Sequence, residues 1–457
     1  MNGVRRSALS IERLSMTRRS PVAAVLTVLA IALGVAAPVS LRAAAGAREP
    51  LEQTGPSRVK TWYYYGLNNV NASVPPELMA RYAEFAEDDG DEVRHATAFK
   101  KAGGRYAVSY TDPAYVPYCF PPFLGPNASC RGQVGKLIHD ERAWFHGPDG
   151  TRVRRYVDPH FGYQEAINPA SAAARAAWRE TTEAILRNGP IDLFLADDSG
   201  GPLRAGDMSP KSSEFLDFNE AGVEITRDED FRDQWIAYLS YAAKPIIING
   251  DDPTDGKPSY GGAFLRAPFV WGATHEGCFR HGGGPVSSEL HDAWRHEADS
   301  LLANTALRKF AVCYVLGPPT PATRMYALAS WWLTFDPQWS VIGPITPVPG
   351  QSALLPEFSI FPANPLRTAA ATVLSLRSAG GAYVREFRAC YQDGRSIGGC
   401  AAVVNPTAHE TVLPPLETSY ARRLALTHDD LLHGGRAEWQ VGIPRSVAAT
   451  SAVILAR

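Results

Sequence analysis

The sequence contains no long run of like charges and, beyond its N-terminal region, no apolar segment long enough to span a membrane. Its six cysteines form no C-x-x-C pair and no cluster with histidine, so a zinc site is not supported. The formal net charge is −2, and the lack of a basic arm argues against nucleic-acid binding. Hydrophobic residues make up 45% and charged residues 20% of 457 positions, a composition typical of a large globular protein.

The N-terminal segment has the pattern of a secretory signal. Arg18-Arg19 precede an apolar run over residues 22–37, and Ala43-Ala44-Ala45 follows as a small-residue cleavage site. We therefore expect residues 1–45 to be a signal peptide and the mature chain to be secreted, periplasmic or held in the cell envelope. Removing these residues takes away six basic and one acidic side chain and leaves a net charge of −7. An uncleaved N-terminal anchor is the alternative, because the apolar run is close to the minimum for spanning a membrane.

The cysteines fall as neighbouring pairs along the chain. An even number of cysteines in an exported protein favours disulfides over free thiols. Six cysteines allow about 15 connectivities, so the pairing is predicted from proximity alone. The predicted disulfides are Cys119–Cys130, Cys278–Cys313 and Cys390–Cys400.

Short apolar runs alternate with helical stretches between residues 60 and 343. Eight such runs begin at Thr61, Arg105, Arg152, Ile191, Lys244, Ala267, Lys309 and Trp339. Apolar strands separated by helices predict an α/β fold, a (β/α)8 TIM-type barrel over residues 60–377. A doubly wound open sheet is the alternative, but no glycine-rich phosphate-binding turn follows the first strand.

The segments on either side of the predicted barrel differ from it in composition and in sequence pattern. Residues 46–59 are polar and are interpreted as a linker. Residues 378–457 contain strand-like runs with turn residues between them and no long helical pattern. They predict a small antiparallel, β-sandwich-like domain at the C-terminus.

Polar residues follow the predicted strands at the end where TIM barrels build their active sites. These residues are Asp112, Asp158, Asp197, Asp198, Asn249, Asp252, His275 and Glu276. Aromatic residues, among them Trp62, Tyr64 and Trp271, are expected close by. Carboxylates bind sugar hydroxyls, aromatic faces stack on sugar rings, and two carboxyl groups are the minimum for glycoside cleavage. The pattern therefore predicts a carbohydrate-binding cleft.

Two carboxylates are assigned to catalysis. Asp197 shares the inward parity of Leu193 and Leu195 and is the predicted nucleophile, although an aspartate here could simply cap the next helix. Glu276 is the predicted acid/base, and burial near Trp271 is expected to raise its pKa. A salt bridge to His275 or Arg280 is the alternative role for Glu276, and Asp252 is the alternative acid. Predicted substrate-binding residues are Asp112, Asp158, Asp198, Asn249, Asp252, His275, Trp62 and Tyr64.

Several stretches resemble a known group of barrel enzymes. Gly189–Asp198 (GPIDLFLADD) resembles the G-x-D-G-x-F-x-D fourth strand of glycoside hydrolases in the amylase and α-galactosidase-like group, with Leu193 in place of a glycine. Further similar segments are Lys244–Asp251 and Thr274–Glu276 at strand ends, Arg324–Ser330 in a helix, and Tyr383–Phe387 with Val403–Pro406 in the C-terminal sheet. The resemblance covers residues 60–457 and implies a retaining mechanism with carboxyl groups roughly 5–5.5 Å apart.

These observations predict an exported glycosidase that acts on a polysaccharide or oligosaccharide. It is expected to be a monomer that uses no cofactor or metal, binds no nucleic acid and is not stably inserted in a membrane once the leader is removed. One alternative is a non-catalytic carbohydrate-binding protein on a degenerate glycosidase barrel, because a fold by itself does not establish an activity. A structural or surface-attachment protein is the other.

Overall fold

The computed structural model describes the chain in segments, and all statements below concern those segments. They are residues 61–64, 74–89, 94–113, 115–117, 140–146, 150, 152, 154–158, 162–197, 199, 228–249, 262–279, 293–316, 320–345, 354–367 and 372–457. The predicted signal peptide and linker lie outside them. Within these segments no helix combines the length and the apolar character needed to cross a membrane.

Eight of the described strands form one parallel sheet. In spatial order they are β1 (Trp62–Tyr64), β2 (Phe85–Asp89), β3 (Tyr106–Thr111), β7 (Leu193–Ala196), β8 (Ile246–Asn249), β9 (Val270–Glu276), β10 (Phe310–Leu316) and β11 (Ser340–Ile345). The described helices are α1 (Pro76–Tyr82), α2 (Arg94–Lys101), α3 (Ala172–Asn188), α4 (Asp228–Leu239), α5 (Ala263–Arg266), α6 (Ala293–Ala306) and α7 (Pro321–Thr334). Parallel strands that alternate with helices along the chain confirm the α/β class.

The first and last strands of this sheet approach each other. Thr61 forms an isolated parallel bridge with Ile342. A Cβ atom at Gly343 would lie 2.8 Å from the carbonyl oxygen of Trp62, so only glycine fits here without a shift. The sheet is therefore strongly curled. Its inner face is packed by an apolar cluster comprising Trp62, Phe85, Val108, Leu193, Leu195, Ile247, Phe310, Val312, Tyr314 and Val341.

The sequence prediction placed one strand of this sheet wrongly. The run that begins at Arg152 does not enter the parallel sheet. It forms β5 (Arg154–Asp158), which pairs antiparallel with β6 (Gly162–Ala166), and β6 in turn pairs with β4 (Tyr115–Pro117). The second parallel strand is β2, whose sequence FAEDD ends in three acidic residues. A search for apolar runs passes over such a strand.

The C-terminal region forms the expected antiparallel sheet. Its spatial order is β12 (Ile360–Pro365), β13 (Tyr383–Gln392), β14 (Arg395–Asn405), β19 (Ser451–Ala456), β16 (Arg422–Leu426) and β17 (Ala437–Val441). A separate short pair joins β15 (Thr411–Val412) to β18 (Ser446–Val447). Strand β12 pairs with β13, so this sheet begins before the domain boundary predicted at residue 378.

Helix α7 is held against the C-terminal sheet by a buried arginine. Arg385, on β13, donates from Nη1 to the carbonyl oxygens of Trp332 at 3.3 Å, Leu333 at 3.0 Å and Phe335 at 2.8 Å. The carbonyl groups in the last turn of a helix lack the full set of intrahelical partners, and a cation there also complements the helix dipole. Trp331 and Trp332, on the same helix, are fully buried.

Two of the three predicted disulfides lie among the described residues, and both are formed. Cys278 is bonded to Cys313, and Cys390 to Cys400. The predicted pair Cys119–Cys130 lies outside the described residues.

The Cys278–Cys313 bond is expected to contribute substantially to stability. It closes a loop with a sequence separation of 35, and removing a native disulfide of this kind costs roughly 2–4 kcal/mol. Changing both cysteines to serine should therefore lower the free energy of unfolding by that amount in urea titrations. Peptide mapping without reductant should recover the same pairs, and a crossed linkage would contradict the assignment.

A lysine at the N-terminal end of the parallel sheet gives a pH-dependent prediction. Lys309 donates to the carbonyl oxygens of Ala267, at 3.1 Å, and Val270. Burial lowers the pKa of this ammonium to about 8 from its ordinary value of 10.5. Between these two values the unfolded chain keeps a proton that the folded chain has released, so unfolding free energy from this group rises with pH. The free energy of unfolding should be measured for wild type and for Lys309→Met at pH 7.5 and pH 10. Relative to the variant, wild type should be more stable at pH 10 than at pH 7.5, and a difference that does not change with pH would contradict this.

Candidate active site

Polar side chains from neighbouring strands meet at the carboxyl end of the parallel sheet. Asp112 follows β3, Asp197 follows β7, Asn249 ends β8 and Glu276 ends β9. Because these strands run parallel, their carboxyl ends lie on the same side of the sheet. The alternation of side chains along each strand places Asp197 on the inner face with Leu195, a member of the inner apolar cluster.

Asp197 accepts hydrogen bonds from a chain of neutral side chains. The hydroxyl of Tyr110 donates to Oδ2 of Asp197. Nδ2 of Asn249 donates to Oδ1 of Asp197 at 2.6 Å, and the hydroxyl of Thr274 donates to Oδ1 of Asn249 at 2.9 Å. The four residues come from β3, the β7 end, β8 and β9. Hydrogen bonds from neutral donors to both oxygens hold the carboxyl group in a fixed orientation.

The register between β8 and β9 explains why these groups meet. Asn249 lies opposite Thr274, so their side chains share the inner face. A register shift between Ile246 and Ile247 changes the pairing nearer the N-terminal ends of the same strands. Tyr110 and Thr274 were not among the sequence-predicted site residues. The available signal was their spacing, because each stands two positions before a predicted rim acid and therefore on the same face.

Glu276 is exposed at the rim, and the burial expected for it near Trp271 is wrong. Trp271 stands at the start of β9 and packs against the inner cluster, at the opposite end of the strand. In the strand register, Asp197 aligns with Thr274, which lies two strands away. The Cα atom of Glu276 is therefore displaced from that of Asp197 by two strand spacings across the sheet, about 10 Å, and by two residues along the strand, about 7 Å. The two carboxyl groups can therefore approach only through their side chains.

The turn after Glu276 is tightly constrained. Gly277 has a φ of 71°, and the fully buried Phe279 has a φ of 57°, a conformation that costs an aromatic residue on the order of 1–3 kcal/mol. Between them, Cys278 is bonded to Cys313 and donates from its backbone nitrogen to the carbonyl of Tyr314 at 2.9 Å. The turn is thus tied to the neighbouring strand β10, which holds the end of β9 in place.

A buried glutamate lies on the inner face of β2. Oε2 of Glu87 accepts from Nε1 of Trp62 at 2.6 Å and from the hydroxyl of Tyr314 at 2.8 Å. Trp62 is 1% exposed and Glu87 2% exposed, so the predicted stacking of Trp62 on a sugar is wrong. Neither Glu87 nor Tyr314 was predicted as a site residue, and no local sequence pattern marks them.

His275 lies on the outer face of β9. Its Nδ1 lies 3.0 Å from Oε1 of Glu297, and its Nε2 lies 2.7 Å from Nδ2 of Asn304, both on α6. The side chain is 8% exposed, so a substrate contact, as the sequence suggested, does not fit this position.

The remaining predicted site residues are described in part or not at all. Asp158 pairs with Gly162 in the small antiparallel sheet, so its predicted place at the end of a barrel strand is wrong. Tyr64 on β1 is the backbone register partner of Glu87 on β2 in the parallel sheet. Asp198 and Asp252 lie outside the described residues. Among the residues that the structure describes, no group of three or more His, Cys, Asp and Glu side chains is arranged to hold a metal ion.

Comparisons with known proteins give matches among solved structures only. No protein-family model matches the chain, and no curated protein matches it. Ega3 from Aspergillus fumigatus, solved with galactosamine, is 15% identical, with a TM-score of 0.33 over 58% of this chain and 81% of its own. The glycoside hydrolase domain of PelA from Pseudomonas aeruginosa is 14% identical, with a TM-score of 0.37 over 65% of this chain and 97% of its own.

A third similar structure is a larger enzyme. The GH36 α-galactosidase AgaA from Geobacillus stearothermophilus, solved with raffinose, is 11% identical, with a TM-score of 0.34 over 84% of this chain and 52% of its own. This chain therefore matches about half the length of that enzyme. Similarity at these TM-scores establishes neither a shared detailed fold nor a shared activity.

Proposed function

We propose that this protein is a glycoside hydrolase that cleaves a polysaccharide or oligosaccharide on a closed (β/α)8 barrel. The observation that carries the proposal is the carboxylate of Asp197, which accepts hydrogen bonds from Tyr110 and Asn249 at the carboxyl end of the parallel strands. A carboxylate held in this way is suited to attack an electron-poor carbon, and the carboxyl ends of barrel strands are where catalytic residues lie.

Asp197 is the nucleophile in this proposal, and Glu276 is the acid/base. Asp197 attacks the anomeric carbon while Glu276 transfers a proton to the departing glycosidic oxygen, giving a covalent glycosyl ester. Glu276 then takes a proton from water, and the resulting attack on the anomeric carbon releases the sugar and frees Asp197. The net stereochemical result of the two displacements is retention.

The contacts of Asn249 change the role predicted for it. Its amide nitrogen donates to Asp197 and its amide oxygen accepts from Thr274. Asn249 therefore acts as a positioning residue for the nucleophile. Asp112, which is partly exposed after β3, keeps the proposed role of binding sugar hydroxyls, as do Asp198 and Asp252.

Export is part of the proposal. Disulfides persist in oxidising compartments, and the two formed here accord with the signal-like pattern of residues 1–45. We therefore place the mature chain, as a monomer, outside the cytosol.

The test is hydrolysis of a panel of polysaccharides and oligosaccharides by the mature protein, with the product anomer followed by NMR. We expect hydrolysis in which the first product has the anomeric configuration of the substrate. Inversion would contradict the nucleophilic role of Asp197, because inverting enzymes place a water between carboxyl groups roughly 6.5–9.5 Å apart.

One observation favours the second candidate, a non-catalytic carbohydrate-binding protein. Glu276 is exposed, and an exposed carboxyl group lacks the burial that commonly keeps a general acid protonated. Saturable binding of an oligosaccharide without turnover, measured by calorimetry, would establish this alternative.

A further inference from the structure

Glu87 is a buried carboxylate that lies beside the apolar cluster on the inner face of the parallel sheet. Both of its described donors, the indole of Trp62 and the phenol of Tyr314, converge on one oxygen, Oε2. All three side chains are at most 2% exposed. The ring of Trp62 also packs edge-on against that of Tyr314, with centroids 5.8 Å apart.

A purely structural role does not account well for this arrangement. Burying a carboxylate carries a large desolvation cost, and apolar residues of similar shape are often as stabilising as buried polar groups. The neighbouring inward positions of β2 and β3, Phe85 and Val108, are apolar. A glutamate at this depth links three strands, β1, β2 and β10, through directional bonds that apolar packing would not supply.

The three linked strands lead directly to the candidate acid/base. Tyr314 on β10 is the register partner of Glu276 on β9. Its carbonyl also accepts the backbone N–H of Cys278, in the constrained turn that follows Glu276. A displacement of the Tyr314 backbone would therefore act on the end of β9 at Glu276 and on the turn that follows it.

We propose that Glu87 is a positioning residue for the active site, acting through Tyr314 and Trp62 to set where Glu276 lies at the rim. This inference rests on the proposed glycosidase function. It assigns Glu87 no contact with substrate.

The expected result for Glu87→Gln is a kcat reduced about 10- to 100-fold with KM changed less than about twofold, since small displacements of a reacting group have effects of that size. Tyr314→Phe should give a similar loss. The double variant should be no worse than either single variant, because both changes weaken the same link.

The C-terminal sheet supplies a matched control. The hydroxyl of Tyr420, just before β16, donates to Oε2 of Glu386 on β13 at 2.8 Å, the same kind of buried bond at the same length. Tyr420→Phe should leave kcat unchanged. If it lowers kcat as much as Tyr314→Phe, or if the Glu87 and Tyr314 effects add, the proposal is overturned.

A second variant separates positioning from folding. Trp62→Phe, Glu87→Met and Tyr314→Phe together replace the polar link by apolar groups, with a smaller ring at position 62. We expect this triple variant to remain folded, with one cooperative unfolding transition in denaturant, and yet lose kcat as Glu87→Gln does. Normal kcat in a stable triple variant would overturn the proposal.

Failure of the proposed function is recognised separately. If wild type hydrolyses no substrate of the panel, the glycosidase assignment fails, and the same variants are compared by calorimetry for binding of oligosaccharide to the rim. Weaker binding by Glu87→Gln but not by Tyr420→Phe then supports a positioning role for Glu87. Equal binding by all of them, or none by wild type, rejects it.

Discussion

Asp197→Asn and Glu276→Gln are each expected to lower the hydrolytic rate about 10²- to 10⁴-fold while leaving the fold intact. The first change removes the negative charge that attacks the anomeric carbon, and the second removes the proton that the leaving oxygen needs. Both replacements keep side-chain size, and the new amide at position 197 can accept from Asn249 while donating to the Tyr110 hydroxyl, so thermal unfolding should stay close to wild type. Initial rates on the best substrate of the panel, with calorimetry of each variant, measure both quantities.

The two variants should differ in how they respond to the leaving group. A substrate with an acidic phenol as leaving group needs little protonation, so Glu276→Gln should recover much of its first step on it, whereas Asp197→Asn should not. Recovery by Asp197→Asn instead would reverse the assigned roles.

Surface acids provide the controls for these changes. Asp233→Asn and Glu183→Gln alter exposed carboxylates that pair with Arg232 and Arg179 on helices α4 and α3, and they should leave the rate unchanged. Full activity in both Asp197→Asn and Glu276→Gln would reject the site. Activity lost with Asp252→Asn but kept with Glu276→Gln would move the acid to the segment after β8.

Arg324→Met is expected to destabilise the protein by about 3–5 kcal/mol, the range for breaking a buried ion pair. Arg324, on α7, donates from Nε to Oε1 of Glu357 at 2.7 Å and from Nη2 to Oε2, with side-chain exposures of 3% and 1%. Its Nη1 also reaches the carbonyls of Thr427 at 2.9 Å and His428 at 3.1 Å. The substitution leaves the Glu357 carboxylate buried without its cation. Urea unfolding at pH 7 measures the loss.

An exposed pair of the same chemistry is the matched control. Arg367 pairs with Glu417, with side-chain exposures of 75% and 47%, and exposed pairs contribute about 0–1 kcal/mol. Arg367→Met should therefore change stability only slightly. Changing Arg324 and Glu357 together to Met and Leu should recover part of the loss, because no charge is then left buried alone. Equal effects of Arg324→Met and Arg367→Met would contradict the analysis.

Some features of the protein follow from local sequence alone. Strands such as Leu193–Ala196 and Ile246–Asn249 are apolar runs, and their order along the chain carried over to their order in the sheet. Each of the two described disulfides joins a cysteine to the next cysteine along the chain. The inward parity of Asp197 followed from the two-residue period of a strand. Each of these depends on the order or the spacing of residues along the chain, which a sequence displays directly.

Other features were decided by tertiary structure, because their physical cause lies in a distant segment. Strand β2 looks polar, yet Glu87 is satisfied by Trp62 and Tyr314, and Asp88 accepts from the backbone of Ala96 in α2. His275 and Glu276 are adjacent in sequence, but the pleat turns the first toward α6 and leaves the second at the rim. The sequence by itself determined the alternation of strands and helices and the carboxylate at residue 197. Which polar side chains are buried, and which face the rim, was decided only by the partners that the fold brings to them, since a buried polar group is stable only where such partners exist.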